Sequence, residues 1–140
     1  MEIEKALAAA RARNQSVLTT IKGDGKPQLS NVLHGVDEHG VIRVSTTADR
    51  AKYANLRRTP WAAVHVDGES FWSYAVIEGD VELSEVAADP GDAAVDELVE
   101  LYRALQGEHK DWDDYRAAMV RDRRVVVRIR PTHAYGSLRD

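Results

Sequence analysis

Six runs of alternating apolar and polar residues, most of them handed on through a turn rich in Gly, Asp or Pro, leave this chain few folds to choose from. They are Ser16 to Lys22, Gln28 to Val36, Val41 to Ser45, Trp61 to Val66, Ser70 to Ser84 and Arg124 to Arg130. Gly23-Asp24-Gly25 and Asp37-Glu38-His39-Gly40 supply two of the turns, and Asp67-Gly68 is the strongest two-residue hairpin signal in the chain. Strands joined this tightly pair antiparallel, and the alternating βαβ order of a doubly wound sheet is absent. The longest run sets Phe71, Ser73, Ala75, Ile77, Val81 and Leu83 on one face, with Trp72, Tyr74, Val76, Glu78, Asp80 and Glu82 on the other. Gly79 lies in its middle, as a bulge or a barrel corner requires. The expectation is a mainly β protein with flanking helices, a six-stranded antiparallel split barrel forming a single domain over residues 1–140.

The helices are read from their stripes. Ile3, Ala6, Leu7 and Ala10 recur at i, i+3, i+4 and i+7, which predicts a surface helix with one buried face. Ala94, Val95, Leu98, Leu101, Tyr102 and Leu105 make a second stripe that stops at Gly107. Asp111 is placed to cap a third helix that turns Trp112, Tyr115 and Met119 inward. A short basic helix follows Thr47, its expected N-cap, and ends at Thr59-Pro60 because Pro disfavours helix at the residue before it.

That basic helix is the most informative chemistry in the chain. From Arg50 to Arg58 there are four cationic side chains and no acidic one, in a protein whose net charge is −4. The hydroxyls of Ser45, Thr46 and Thr47 lie just before it, and Arg50 and Lys52 open it. A strand handing over to a helix start offers unpaired N–H groups and a positive dipole end, which suit a phosphate. The same window also reads as a solvated basic face, since Arg50 and Lys52, two apart, share no face of a regular helix. The residues alone leave both readings open.

Other chemistries are poorly supported. There is no cysteine, so neither a disulfide framework nor a thiolate metal site is available. His34, His65, His109 and His133 fall at no metal-ligand spacing, and His34 and His65, in strands, read as packed or hydrogen-bonded. No Walker loop, G-x-G-x-x-G or G-x-S-x-G elbow occurs. No apolar run reaches the ~18 residues of a membrane span and no signal-peptide core follows Met1, so a cytoplasmic protein is expected. The acidic balance argues against nucleic acid as a partner. A phosphate anchor without a nucleophile points to a cofactor that carries the reactive atom.

Gln28-Leu29-Ser30-Asn31, Ser45-Thr46-Thr47, Arg50-Ala51-Lys52 and Asn55-Leu56-Arg57, taken in this order of elements, resemble the pyridoxamine-phosphate-oxidase-like split-barrel flavoproteins. The resemblance is closer to their deazaflavin branch, the F420-dependent oxidoreductases, and it runs from the first helix to Arg128-Ile129-Arg130-Pro131-Thr132-His133-Ala134-Tyr135-Gly136. Its implications are carried residue by residue. Arg50 and Lys52 would hold the cofactor phosphate, with Ser45, Thr46 and Thr47 adding hydrogen bonds, and Gln28, Leu29, Ser30 and Asn31 would run along the deazaflavin edge. A homodimer is implied, with the cofactor between subunits and Trp72 and Tyr74 of the second copy completing the site. Trp72, Tyr74, His133 and Tyr135 are candidates for a substrate pocket. The implied activity is hydride transfer from reduced coenzyme F420 to an unsaturated or conjugated small molecule. FMN in place of F420, or a carrier that binds F420 without turnover, are the alternatives. The extra basic and histidine residues that pyridoxine phosphate needs find no match here.

Overall fold

Gly25, at φ 85°, turns the chain between β1 (Gln15–Ile21) and β2 (Pro27–Leu33), which pair antiparallel from Gln15 opposite Leu33 to Ile21 opposite Pro27. The computed structural model describes residues 1–139. Along β2 exposure alternates, with Gln28, Ser30 and Val32 half-buried and Leu29, Asn31 and Leu33 turned outward. The expected second strand does not continue to Val36. It breaks at His34, and Gly35–Val36 forms a separate strand, β3, which pairs with β4 (Ile42–Thr47). The sheet therefore has seven strands rather than the six expected, in the order β2-β1-β5-β6-β7-β4-β3. The remaining strands are β5 (Trp61–Asp67), β6 (Tyr74–Leu83) and β7 (Arg124–Ser137).

His34 explains both the break and the curvature. It joins β2 and β3, which stand at opposite edges of one sheet, so the sheet must curl until its two edges meet. The result is an antiparallel half-barrel. His34 is fully buried, and both of its ring nitrogens are engaged. Nε2 lies 2.9 Å from Ala10 O, and Nδ1 lies 2.8 Å from Ser16 Oγ. A carbonyl only accepts, so the proton sits on Nε2, and Nδ1 accepts from the Ser16 hydroxyl. This bears out the reading of His34 as a packed residue.

Burial holds the His34 pKa below its ordinary 6.5, against the opposing effect of the Ala10 hydrogen bond. The folded state thus binds the proton less readily than the unfolded chain. Its stabilising contribution is complete above pH 6.5 and is lost as pH falls toward the lowered folded value. The urea midpoint should drop between pH 7.5 and 5.5 in the wild type and stay flatter in His34→Gln. An unchanged wild-type midpoint over that interval would refute the assignment.

Inside the curl, Leu18, Ile42, Val44, Val64, Ile77, Val127 and Ile129 form one core, plugged by Ala6, Leu7 and Ala10 of α1 (Ile3–Ala12) and by Leu56 of α2 (Ala51–Arg58). A second core lies on the other face of β7. There Val126 packs under Val95, Leu98 and Val99 of α3 (Ala93–Gln106) and Met119 of α4 (Trp112–Arg121). Asp92 and Asp111 cap these helices through Val95 N and Asp114 N, the second as expected. β7 is thus buried on both faces, which is why Val125, Val126 and Val127 run without interruption.

Two strand expectations need correcting. Asp67-Gly68 does not close a two-residue hairpin; β6 starts only at Tyr74, and Gly68 N donates to Ser73 O across a wider loop. Phe71 and Trp72 consequently leave the strand and are exposed. The last strand does not stop at Arg130 but runs to Ser137. Gly79 keeps its expected part. The β6–β7 register shifts there, and a Cβ on Gly79 would lie 2.4 Å from Arg130 O, so a side chain would push the strands apart.

Candidate functional site

On β4, Ile42, Val44 and Thr46 point into the barrel, leaving Arg43, Ser45 and Thr47 on the face beneath the α3–α4 hairpin. β4 does not hand over directly to the helix. Ala48 N donates to Arg123 O and Arg50 N to Thr47 O, making a turn before Ala51. Thr47 is therefore not the N-cap. It stays in the strand opposite Arg124 and gives its hydroxyl to the Asp49 carboxylate, while Arg50 takes the cap position without a side-chain cap bond.

From the first turn of α2, Lys52 reaches across to the edge strand, where Nζ donates to Ser30 Oγ at 3.1 Å. Ser45 Oγ lies 3.4 Å from Arg124 Nη1. Lys52, Ser45, Arg124 and the Asn31–Leu33 stretch border a cavity of about 360 Å³. Its opposite wall is Leu101, Tyr102 and Leu105 of α3 with Tyr115 and Met119 of α4. One side is thus cationic and hydroxylic, and the other is apolar and aromatic, a division that suits a ligand with an anionic end and a planar body.

The charges on the polar side are unbalanced. Arg43, Arg103, Arg116 and Arg128 each meet a carboxylate, whereas among the described residues no carboxylate pairs with Lys52 or Arg124. The Lys52 pKa is lowered, first by burial and then by the charges of Arg50 and Arg124. The Tyr115 hydroxyl is not free to act as an acid, because it donates to Leu98 O at 3.1 Å, and burial pushes its pKa up.

The residues expected at the site divide into three groups. Asn31, Ser45 and Lys52 line the cavity and Ser30 bonds to Lys52, whereas Arg50 is exposed and does not line it. Thr46 and Gln28 are engaged elsewhere: Thr46 is buried inside the barrel, and Gln28 Oε1 accepts from Asn55 Nδ2 at 2.7 Å. Leu29, Trp72 and Tyr74 lie away from the cavity. Leu29 lines a groove on the outer sheet face with Trp61, His65 and Tyr135; Tyr74 stacks on His65 with ring centroids 5.2 Å apart, and Trp72 sits edge-on to Phe71. His133 neighbours Tyr135 at 6.0 Å, also outside the cavity. Asn31 to Leu33 border openings on both sides, as an edge strand can. Arg124 and the helical wall were missed. Arg124 alternates with Arg128 and Arg130, and nothing in that pattern tells an ion-paired arginine from an unpaired one.

A curved antiparallel sheet plugged by a helix, with a cation-lined cavity at its edge, places the protein among the split-barrel proteins. The chain belongs to the pyridoxamine 5'-phosphate oxidase family, whose model matches residues 3–137. Among solved structures it resembles a conserved hypothetical protein from Mycobacterium tuberculosis, with TM-score 0.72 and 23% identity over 96% of this chain and 82% of that one. It also resembles an F420 reductase, with TM-score 0.66 and 26% identity over 91% of this chain and 94% of the other. A third is a pyridoxamine 5'-phosphate oxidase-related, FMN-binding protein from Nostoc punctiforme, at TM-score 0.64 and 18% identity over 94% and 79% of the two chains. At such identities the first and third show the shared fold alone. No helix among the described residues is long and apolar enough to cross a membrane.

Proposed function

We propose that the cavity holds the phosphate end of a flavin-type cofactor, and that the protein is an oxidoreductase using reduced coenzyme F420 to reduce an unsaturated or conjugated small molecule. The observation that carries this reading is the half-buried Lys52, facing the cavity beside two serine hydroxyls with no carboxylate among the described residues to balance it. A cation held this way in an acidic protein is completed by an anionic ligand. Lys52 and Ser45 would contact the phosphate, with Arg50 attracting it from outside the lining, and Ser30 would orient the Lys52 ammonium. The free edge of β2 offers unpaired main-chain groups at Asn31 to Leu33 for the polar edge of a ring. The likeness to the F420 reductase favours the deazaflavin.

When bound, reduced F420 supplies a hydride from its deazaflavin C5. The protein's part is to orient the two reactants and exclude water, through the apolar wall of Leu101, Leu105 and Met119. With its hydroxyl committed to Leu98 O, Tyr115 is not the donor of the accompanying proton. The exposed Leu29, Phe71, Trp72 and Tyr135 support a homodimer, in which Trp72 and Tyr74 of a second copy approach the cofactor. FMN is the second reading, because the same cradle meets only a phosphate, which both cofactors carry.

Titration of the purified protein with F420 and with FMN, followed by cofactor fluorescence, tests the reading. Tighter binding of F420 is expected, followed by oxidation of reduced F420 when a suitable acceptor is supplied. A preference for FMN would move the protein to the flavin cofactor. Failure to bind either would overturn the cofactor reading altogether.

A further inference from the structure

We propose that Arg124 is a further cation of the cradle and contacts the cofactor's anionic group directly. This rests on the reading of the cavity as a phosphate site.

The face of β4 and β7 beneath the α3–α4 hairpin carries three cross-strand pairs in a row: Arg43 with Arg128, Ser45 with Val126, and Thr47 with Arg124. The hairpin treats the two ends of this row differently. At one end α3 lowers Glu97 between Arg43 and Arg128, and together with Asp37 and Glu82 it neutralises them. At the other, Arg124 meets the cavity and no carboxylate among the described residues.

Arg124 is also short of hydrogen bonds. A guanidinium has five N–H donors in a rigid fork. Here one long contact to Ser45 Oγ, at 3.4 Å, is made, and the buried Nε has no partner. Arg128, on the same strand and face, makes three bonds of 2.6 to 2.8 Å to Glu97 and Glu82. A planar fork with spare donors, lining the same cavity as a lysine and a serine hydroxyl, matches the oxygens of a phosphate. The charge of Arg124 weakens proton binding at Lys52, and an anion between the two would relieve both. Tyr115 and Met119 cover the site from above, which strengthens a charge-assisted contact made beneath them.

The test compares F420, FMN and riboflavin, which keeps the ring but lacks the phosphate, on wild type, Arg124→Met and Arg124→Lys. Arg124→Met should bind the phosphate-bearing cofactors roughly 10- to 100-fold more weakly, riboflavin equally well, and Arg124→Lys should recover part of the loss. Far-UV circular dichroism and the thermal midpoint establish that each variant folds, and Arg124→Lys alone carries the test if the methionine variant does not. Wild-type affinity for F420 and FMN in Arg124→Met, alongside a loss in Lys52→Met, would overturn the role of Arg124 and leave the cofactor reading standing. If the wild type binds neither cofactor, that reading fails by itself, and inorganic phosphate decides the matter for Arg124. Thermal stabilisation by phosphate over chloride at equal ionic strength, present in wild type and lost in Arg124→Met, would support the assignment. Equal behaviour of the two would overturn it.

Discussion

The double variant Arg50→Ala/Lys52→Ala should bind F420 or FMN at least about 100-fold more weakly than the wild type, because two charge-assisted phosphate contacts are worth roughly 3 kcal/mol or more together. The loss should be unequal between the single variants. Lys52 is half-buried, lines the cavity and is already oriented by Ser30, whereas Arg50 is exposed and outside the lining, where water and salt screen it. Most of the effect should therefore follow Lys52, and the Arg50 contribution should fade as salt is raised. Stability should move the other way. Burial and two nearby cations disfavour the charged lysine in the free protein, so Lys52→Ala should leave the thermal midpoint unchanged or raise it. Fluorescence titration and a thermal melt on the same samples check both halves. Normal cofactor binding by the double variant would mean that the phosphate sits elsewhere.

Glu97→Ala should destabilise the protein by about 2 kcal/mol, read as a lower urea midpoint, because it removes the carboxylate that two facing arginines share and leaves each with only its outer partner. Arg43 and Arg128 face each other directly across β4 and β7, an arrangement of like charges that repels on its own. Glu97 Oε2 accepts from both Nε atoms at 2.8 Å, and Oε1 accepts from Arg128 Nη2 at 2.6 Å. Asp37 and Glu82 extend the chain at either end by pairing with Arg43 and Arg128. Burial alone would raise the Glu97 pKa, but the hydrogen bonds from Arg128 and Arg43 outweigh it and hold the carboxyl below its usual 4.5. This contribution is therefore present above pH 4.5 and lost as pH falls through the lower folded value. Glu97→Ala should flatten stability over that acidic range, and an unchanged midpoint at neutral pH would remove the network from the list of what holds α3 down.

What the sequence disclosed followed physical range. Local signals read correctly: the cap at Asp111, the stop at Gly107, the bend at Gly79 and the stripe of α1 each depend on residues within a few positions. Errors arose where a distant partner overrode a local preference. Thr47 has a good capping side chain, but pairing with Arg124 keeps it in the strand. Val36 continues an alternating run, but the anchoring of His34 to Ala10 and Ser16 breaks that run in two. At the site, Ser45 and Lys52 were legible in the basic window after the third predicted strand and Ser30 through the resemblance, because each lies on a motif contiguous in sequence. Arg124 was not, since it comes 79 residues after Ser45 and differs from Arg128 only in what α3 places above it.

The position of β7 governs when the protein becomes competent as well as how it is held. The β1–β2, β3–β4 and β5–β6 pairs all form between neighbours in the chain, yet β7 alone joins β6 to β4 and brings the two edges of the sheet together at His34. Contacts across such separations form late and set the pace of folding. During synthesis the earlier hairpins can emerge and persist while the cavity does not yet exist, because Arg124 and the hairpin that covers it arrive last. A nascent chain would therefore meet its ligand only after β7 has cleared the ribosome, and ligand capture would report completed assembly.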